Sequence, residues 1–368
     1  MDFELNEDVQ AVRELARSFA QDECAAGAAE RDKKEEFPTE LVAKAGDLGL
    51  LGILVPEEFG GVGLSNLALS EALVEINKVD ASVGVTISVH NSLACNCINT
   101  WGSEETKKKY LPDMATGKML GAYALSEANS GSDAGSLVCK AEKDGDDYVL
   151  TGTKAWITSG DVADVMVVFA RTDPDAGNKG VSAFVIETAW DGFAADKKEP
   201  KMGLRSSSTV GITLDGLRVP ASNMLSELNN GFKVALNILD GGRIGIASQA
   251  LGIMEACLEA SIAYATEREQ FGKRISEFQP IQWKLVEMET RIQAARHMVR
   301  HAAWLKDHGR PHAKEAAAAK LFASRAANWC AREAVQVHGG AGYCTDYPVE
   351  RYFRDARITE IYEGTTEV

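Results

Sequence analysis

The chain reads as an α+β protein in three successive parts: helical over residues 1–120, β over 121–226 and helical again over 227–368. Three observations lead there. Apolar residues recur at three- and four-residue steps toward both ends of the chain, the period of a buried helix face. Between about 121 and 226 that period gives way to short runs rich in Val, Ile, Thr and aromatic residues, bounded by Gly, Asp and Pro. No helical pattern of about 10–15 residues lies between those runs, so they predict a compact β unit and not a parallel sheet with crossover helices.

In the first part Val9, Val12, Ala16 and Phe19 make one stripe. "FPTELVAKAGDLGLLGILVPEEFGG" reads as a helix broken by Gly, Pro and a Gly-Gly turn. The stretch from Ser65 to Gly102 is nearly all apolar and predicts a pair of core helices. In the second part "DDYVLTGTKAWIT", "ADVMVVFART" and "GVSAFVIE" are strands. "STVGITLDGLRVP" alternates Val210, Ile212 and Leu214, then Leu217 and Val219, around Asp215-Gly216, which predicts a hairpin. In the third part Leu251, Met254, Leu258 and Ile262 form one helical stripe. Ile281, Leu285, Met288, Ile292, Ala295, Val299 and Ala302 form another, and "KEAAAAKLFASRAANWCAREAVQVHGG" a third, closed by Gly339-Gly340. Helices of that length predict a bundle.

Composition narrows the function classes. The net charge of −15 disfavours nucleic acid or anionic lipid as the main partner, because phosphate binding needs clustered Lys and Arg. No unbroken apolar run approaches the ~20 residues of a membrane span. The acidic N-terminus "MDFELNEDVQ" has neither an apolar signal core nor the Arg-rich character of a transit peptide. A cytoplasmic protein is expected, or a processed chain of the mitochondrial matrix. Seven scattered cysteines fit a reducing compartment, and Cys95 and Cys97, without a second pair to complete a zinc site, read as small buried hydrophobes.

Several chemical motifs are missing: no Walker loop, no GxGxxG after a strand, no HExxH and no GxSxG. His297 and His301 stand four apart, but without an acidic residue between them they read as helix-surface histidines and no metal is expected. "YALSEANSGSDAGS" (123–136) is a hydroxyl-rich glycine loop, fit either to be a plain turn or to offer N–H donors to an anion or a planar heterocycle. Trp156 in "KAWITSG" is either a buried strand aromatic or a flat wall for a ring system. In "ITEIYEGTTEV" Gly364 permits close backbone approach, and the threonines suit the start of a helix. Glu363, beside Ile361 and Tyr362, is either a tail carboxylate or one in a partly dry site, where desolvation would raise it from ~4.3 toward a useful general base.

Taken in order, "YALSEANSGSDAG", "KAWITSG", "MGLRSSSTVGITLDGLRVP", "ILDGGRIGIASQALGI", "REQFGKRISEFQPIQ" and "VQVHGGAGYCTDYPVERYFRDARITEIYEGTTEV" resemble the acyl-CoA dehydrogenase family over essentially the whole chain, and its short-chain branch most. The resemblance implies an N-terminal helical domain, a middle β-barrel-like domain and a C-terminal four-helix bundle. It implies FAD bound without a Rossmann fingerprint, and oxidation of acyl-CoA thioesters to trans-2-enoyl-CoA with electrons passed to electron-transfer flavoprotein by a homotetramer.

By the same resemblance Glu363 is the catalytic base. The segment from Tyr123 through Leu125, Ser126 and Gly131 to Ser132, with Trp156, Ile157 and Thr158, lines the flavin. Arg268, Gln279 and the run Gln336, Val337, His338, Gly339 and Gly340 reach the FAD of a neighbouring subunit, and Thr365, Thr366 and Glu367 close over the cofactor. Ser132, the run Asp240, Gly241, Gly242 and Arg243, and Gly364 contact the acyl-CoA. Some branches carry the base where Gly241-Gly242 stand, and here no carboxylate competes. Ala128 replaces a proline usual in the family's loop, and family members usually continue beyond the position of Val368. An acyl-CoA oxidase using oxygen and a non-catalytic DNA-associated flavoprotein share the fold. The charge and the intact Tyr-Glu-Gly-Thr argue against the second.

Overall fold

The structure, a computed structural model, describes residues 4–368. Its first third is helical: α1 (Glu7–Ser18), α2 (Ala28–Lys34), α3 (Thr39–Asp47), α4 (Asn66–Asn77), α5 (Ala81–Ser88), α6 (Asn96–Trp101) and α7 (Glu104–Ala115). The starts of α1, α4, α5 and α7 are set by side-chain caps. Asn6 accepts from the Val9 amide at 2.9 Å, Ser103 from Thr106 at 3.1 Å, and Asp80 from Ser82 and Val83 at 3.0 and 3.2 Å. The nearly apolar stretch is α4 followed by α5, which runs through a π-helical turn (Val89–Cys95) into α6. Its two glutamates are buried but paired. Glu71 receives Arg300 at 2.7 and 2.9 Å, and Glu75 receives Arg13 and Arg17 at 2.9 Å each. Charge therefore pins α4 between two neighbouring helices.

The middle third is one eight-stranded sheet in the order β6-β7-β3-β2-β4-β5-β8, with β1 beside β4. Its strands are β1 (Gly121–Ala124), β2 (Lys140–Asp144), β3 (Asp147–Thr158), β4 (Val165–Arg171), β5 (Val181–Glu187), β6 (Phe193–Lys198), β7 (Thr209–Pro220) and β8 (Met224–Leu225). Most pairs are antiparallel, while β1 runs parallel to β4, from Gly121 opposite Val165 to Ala124 opposite Val168.

The expected hairpin at Asp215-Gly216 does not form. β7 passes straight through, with Leu214 opposite Gly152 and Leu217 opposite Leu150, so two residues face the single Thr151. This is a bulge, and Gly216 takes φ 67 in it. The extra residue resets the alternation, which is why Leu217 and Val219 are buried on the same side as Leu214. A second bulge lies at the other end of β3, between Lys154 opposite Ile212 and Ile157 opposite Val210.

The last third holds α8 (Gly231–Glu267), the short ribbon β9 (Glu269–Gln270) and β10 (Lys273–Arg274), α9 (Gln279–Asp307), α10 (Ala313–His338) and α11 (Val349–Arg357). α8 includes an 18-residue window apolar enough to cross a membrane, but 78% of that window is buried inside the protein. It is the central helix: one cluster of buried side chains joins Val85, Leu93 and Ile98 to Tyr123, Val167, Ile244, Leu251, Met288 and Ala323. Of the stripe expected on α8, Leu251, Met254 and Leu258 are buried and Ile262 faces outward.

Asp80 joins two of these devices, since the carboxylate that caps α5 also accepts from Arg31 Nη2 at 2.8 Å. Asp80→Ala removes the cap and strands a cation. We expect a loss of about 2–4 kcal/mol, read as a lowered midpoint in thermal or urea unfolding, with Asp80→Asn losing less because it keeps the cap.

Candidate active site

After α11 one 3₁₀ turn (Ile358–Glu360) ends the regular structure, and the chain bends back over α8. Glu363 takes φ 55 and Gly364 φ 97. A non-glycine residue in that region is held there by its surroundings. The kink lays the Glu363 carboxylate on Gly242, where a β-carbon would fall on Oε2 and come within 2.9 Å of Leu93 Cδ2. Leu93 comes from the π-helical turn, α8 supplies the glycine and the C-terminal segment supplies the acid.

Two cations stand behind this carboxylate without binding it. Lys320 of α10 donates to the carbonyl of Tyr362 at 2.6 Å and to the carbonyl of Gly364. Arg243 of α8 donates to Asp240 Oδ1 at 2.7 Å. Tyr362 donates its hydroxyl to Gln249 Oε1. Burial pushes Glu363 up to about 7, against the pull of Lys320 and Arg243. Burial likewise brings Lys320 down to about 8, against the attraction of Glu363.

Enclosed polar atoms without a partner mark where something else belongs. Among the described residues they include Glu363 Oε2, Tyr123 Oη and Lys306 Nζ. The Tyr123 ring packs on Phe169 at 5.0 Å, and burial, then Cys97 and Glu363, keep its hydroxyl protonated. Thus a hydroxyl with no acceptor and a carboxylate with no donor belong to one region.

The other sequence-predicted residues fall into groups. Leu125 and Ser126 follow β1, and the Ala155 amide donates to Ser126 O at 2.9 Å, so this segment and the end of β3 share an edge. There Trp156, the bulge residue at φ 59, is 56% exposed. Of its two possible readings, the buried strand aromatic is excluded. Ile157 is buried and Thr158 half-buried, while Gly131 and Ser132 are exposed on the loop. An exposed indole on a fixed kink beside an exposed glycine-serine loop is a surface that a planar heterocycle fits.

Arg268, Val337, His338, Gly339 and Gly340 line a separate cleft of about 640 Å³ with Tyr264 and Tyr347. Gln279 and Gln336 are exposed. Thr365, Thr366 and Glu367 line another cleft, of about 300 Å³, with Arg325 and Arg357. These threonines start no helix: the Thr366 amide instead closes a turn on Glu360 O at 2.9 Å.

Two features escaped the sequence reading. Glu127 is buried, pairs with Lys154 at 2.8 Å and accepts from the amides of Val138 and Cys139 at 2.7 and 2.9 Å, which ties both ends of the 125–139 loop to β3. Lys320 was hidden in an alanine-rich run, where a lone cation on an apolar face was the available signal.

A three-part α–β–α fold with an acid laid over a glycine of the central helix defines a class, and comparison with known proteins identifies it. Family models for the N-terminal, middle and C-terminal domains of acyl-CoA dehydrogenase match residues 6–118, 122–217 and 229–368. The chain belongs to the acyl-CoA dehydrogenase family. It is 46% identical to the short-chain specific acyl-CoA dehydrogenase of Clostridium acetobutylicum, over 100% of this chain and 97% of that one. The butyryl-CoA dehydrogenase structure from Megasphaera elsdenii superposes with a TM-score of 0.98 at 44% identity, covering 100% of this chain and 97% of that one. A structure described as the electron transferring flavoprotein of Acidaminococcus fermentans gives 0.99 at 46%, with the same coverage.

The raised proton affinity of Glu363 has a thermodynamic consequence. Its folded value, about 7, lies above the ordinary 4.5, so the folded state holds a proton more tightly than the unfolded state does. The stability this gives is present below pH ~4.5 and is lost as pH rises through ~7. Glu363→Gln removes the dependence, and we expect it to be more stable than the parent at pH 8 by about 1–3 kcal/mol, the gap closing at acid pH. Paired thermal melts across pH 4–8 read this directly.

Proposed function

We propose that the protein is an FAD-dependent acyl-CoA dehydrogenase that oxidises short-chain acyl-CoA thioesters to trans-2-enoyl-CoA, with Glu363 taking the α-proton. The observation that carries the reading is the enclosed Glu363 Oε2, which has no partner and sits on a carboxylate raised to about 7. A base with that affinity is half ionised near neutrality, yet binds a proton far better than an ordinary carboxylate does. The family and the similarity to short-chain specific and butyryl-CoA relatives support the substrate class.

Each group has a task in this reading. Gly242 leaves room for the carboxylate, and Leu93 keeps water from it. In this reading the backbone N–H at Glu363 acts as an oxyanion-type donor that polarises the thioester carbonyl and acidifies the α-carbon. Asp240, Gly241, Arg243, Gly364 and Ser132 border the acyl-CoA. Tyr123, Leu125, Ser126, Gly131, Ser132, Trp156, Ile157 and Thr158 hold the flavin ring, and Thr365, Thr366 and Glu367 lie over the same cofactor. FAD supplies the two-electron acceptor for the hydrogen leaving the β-carbon.

Within one chain the Arg268 cleft and the Glu363 region are separate groups. This supports a homotetramer in which Arg268, Gln279 and the run from Gln336 to Gly340 serve a neighbour's FAD. Electron-transfer flavoprotein is the expected acceptor.

Glu363→Gln keeps the shape of the side chain and loses the base. It should stay yellow and bind acyl-CoA, yet reduce its flavin about 10²–10⁴-fold more slowly with butyryl-CoA in the absence of oxygen. Glu367→Gln, four residues on, should act mainly through FAD affinity. Bleaching of the Glu363 variant at the parental rate would place the base elsewhere, and a panel of acyl-CoAs from C4 to C16 should bleach the parent fastest at the short end.

Arg268→Ala should release FAD more readily on dialysis and loosen the oligomer with it, since each charge-assisted hydrogen bond lost is worth roughly 1.5–3 kcal/mol. Unchanged flavin retention would make Arg268 an ordinary surface charge.

A further inference from the structure

Lys320 is a buried cation in an alanine-rich helix, and what it binds is unusual. Both of its hydrogen bonds go to backbone carbonyls, those of Tyr362 and Gly364. These carbonyls belong to the peptide planes just before Glu363 and just after Gly364. They bracket the two consecutive residues at positive φ, 55 and 97. A peptide plane held at each end of a kink fixes the torsions between them, and the aim of the Glu363 side chain follows from those torsions. The cation lies close behind the acid, near enough to perturb it.

We propose that Lys320 is a positioning residue for the reaction, its ammonium clamping the Glu363–Gly364 kink through the two flanking carbonyls. Its charge, close behind the acid, also favours the carboxylate over the acid. This rests on the reading of Glu363 as the base. The other groups around the pair are few. From α8 come Arg243 and Asp240, engaged with each other, and from β1 comes Tyr123, with Cys97 of α6 beyond it. Glu360, itself paired with Arg357, lies on the 3₁₀ turn, and Asp355 of α11 acts on Tyr362. Leu93 and Gly242, which touch the acid directly, carry no charge. Arg243 is spoken for by Asp240, so Lys320 is the cation whose removal moves Glu363 most.

The test compares Lys320→Met, Lys320→Gln and Lys320→Arg. The first removes the clamp and the charge, the second keeps a donor without charge, and the third keeps a permanent cation. Two readouts are followed: the pH dependence of anaerobic flavin reduction by butyryl-CoA, and an infrared titration of the Glu363 carboxylate band in substrate-free protein, with Glu363→Gln as the blank.

In Lys320→Met the acid limb and the infrared midpoint should both move up by about one pH unit or more. The plateau rate should fall at least about ten-fold, as a misaimed base predicts. Lys320→Gln should show the same pH shift with a smaller loss of plateau rate, and Lys320→Arg should keep the parental midpoint. A uniform loss of rate with an unmoved midpoint in both the Met and Gln variants would overturn the proposal and leave Lys320 a structural residue. If Lys320→Met does not fold, the Gln and Arg variants carry the same contrast. The infrared midpoint reports Glu363 whether or not it is the base. A Glu363→Gln enzyme that still bleaches would therefore defeat the underlying reading, while a dead Glu363→Gln enzyme with unmoved Lys320 midpoints would defeat this proposal alone.

Discussion

A carboxylate drawn largely out of water wants its proton back, and the C-terminal end of this chain is arranged around keeping one there in usable form. Glu363 can lie over α8 because position 242 has no side chain, because the π-helical turn after α5 brings Leu93 to the same place, and because the chain accepts a left-handed bend at residues 363 and 364. None of the three is favourable taken alone. Glycine inside a helix weakens it, a π-turn is a rare irregularity and a glutamate at positive φ is strained. They persist together because the long apolar helix that carries Gly242 is buried on most of its length, so its stability comes from packing and tolerates local losses.

The buried polar groups around the helices and the sheet differ from those at the C-terminal kink. Glu71, Glu75, Asp80, Glu127 and Lys154 are each met by hydrogen bonds or opposite charges. They hold α4 against α1 and α9, fix the start of α5, and tie the 125–139 loop to β3. Their capacity is filled, so they position other groups. Glu363 Oε2 and Tyr123 Oη are enclosed and unmet. An unmet buried group is costly to keep, by about 1–3 kcal/mol each, and is retained where a ligand completes it.

The α–β–α order was legible because each part keeps one period for long enough to count. The break at Asp215-Gly216 misled because Asp-Gly between alternating apolar residues is the mark of a hairpin, and it is equally what a bulge needs: one residue of positive φ that resets the alternation. Telling them apart requires the partner strand, and β3 pairs with β7 on both sides of the bulge. The acid itself was found through the run of motifs around it, since Tyr-Glu-Gly-Thr alone read equally as a tail. Lys320 was out of reach for a different reason. Its partners are backbone carbonyls 42 and 44 residues away, and a carbonyl leaves no trace in a sequence.

Three glutamates with carboxylates drawn out of water show what makes one of them reactive. Burial pushes Glu75 upward, yet hydrogen bonds from Arg17 and Arg13 bring it below the ordinary value. Burial acts the same way on Glu127, and Lys154 with two backbone amides reverses it. Glu363 also has a lysine and an arginine beside it, and it alone of the three ends high, at about 7. Glu363 does not lack cations; those beside it are turned away. Arg243 is taken up by Asp240 and Lys320 by two carbonyls, so their charge reaches the carboxylate through space but no hydrogen bond fills its oxygen. A direct ion pair would have given a stable, fully ionised acid with little appetite for a proton. Diverting both partners keeps enough positive charge nearby for the ionised form to exist near neutrality, and leaves the oxygen free to take a proton from carbon.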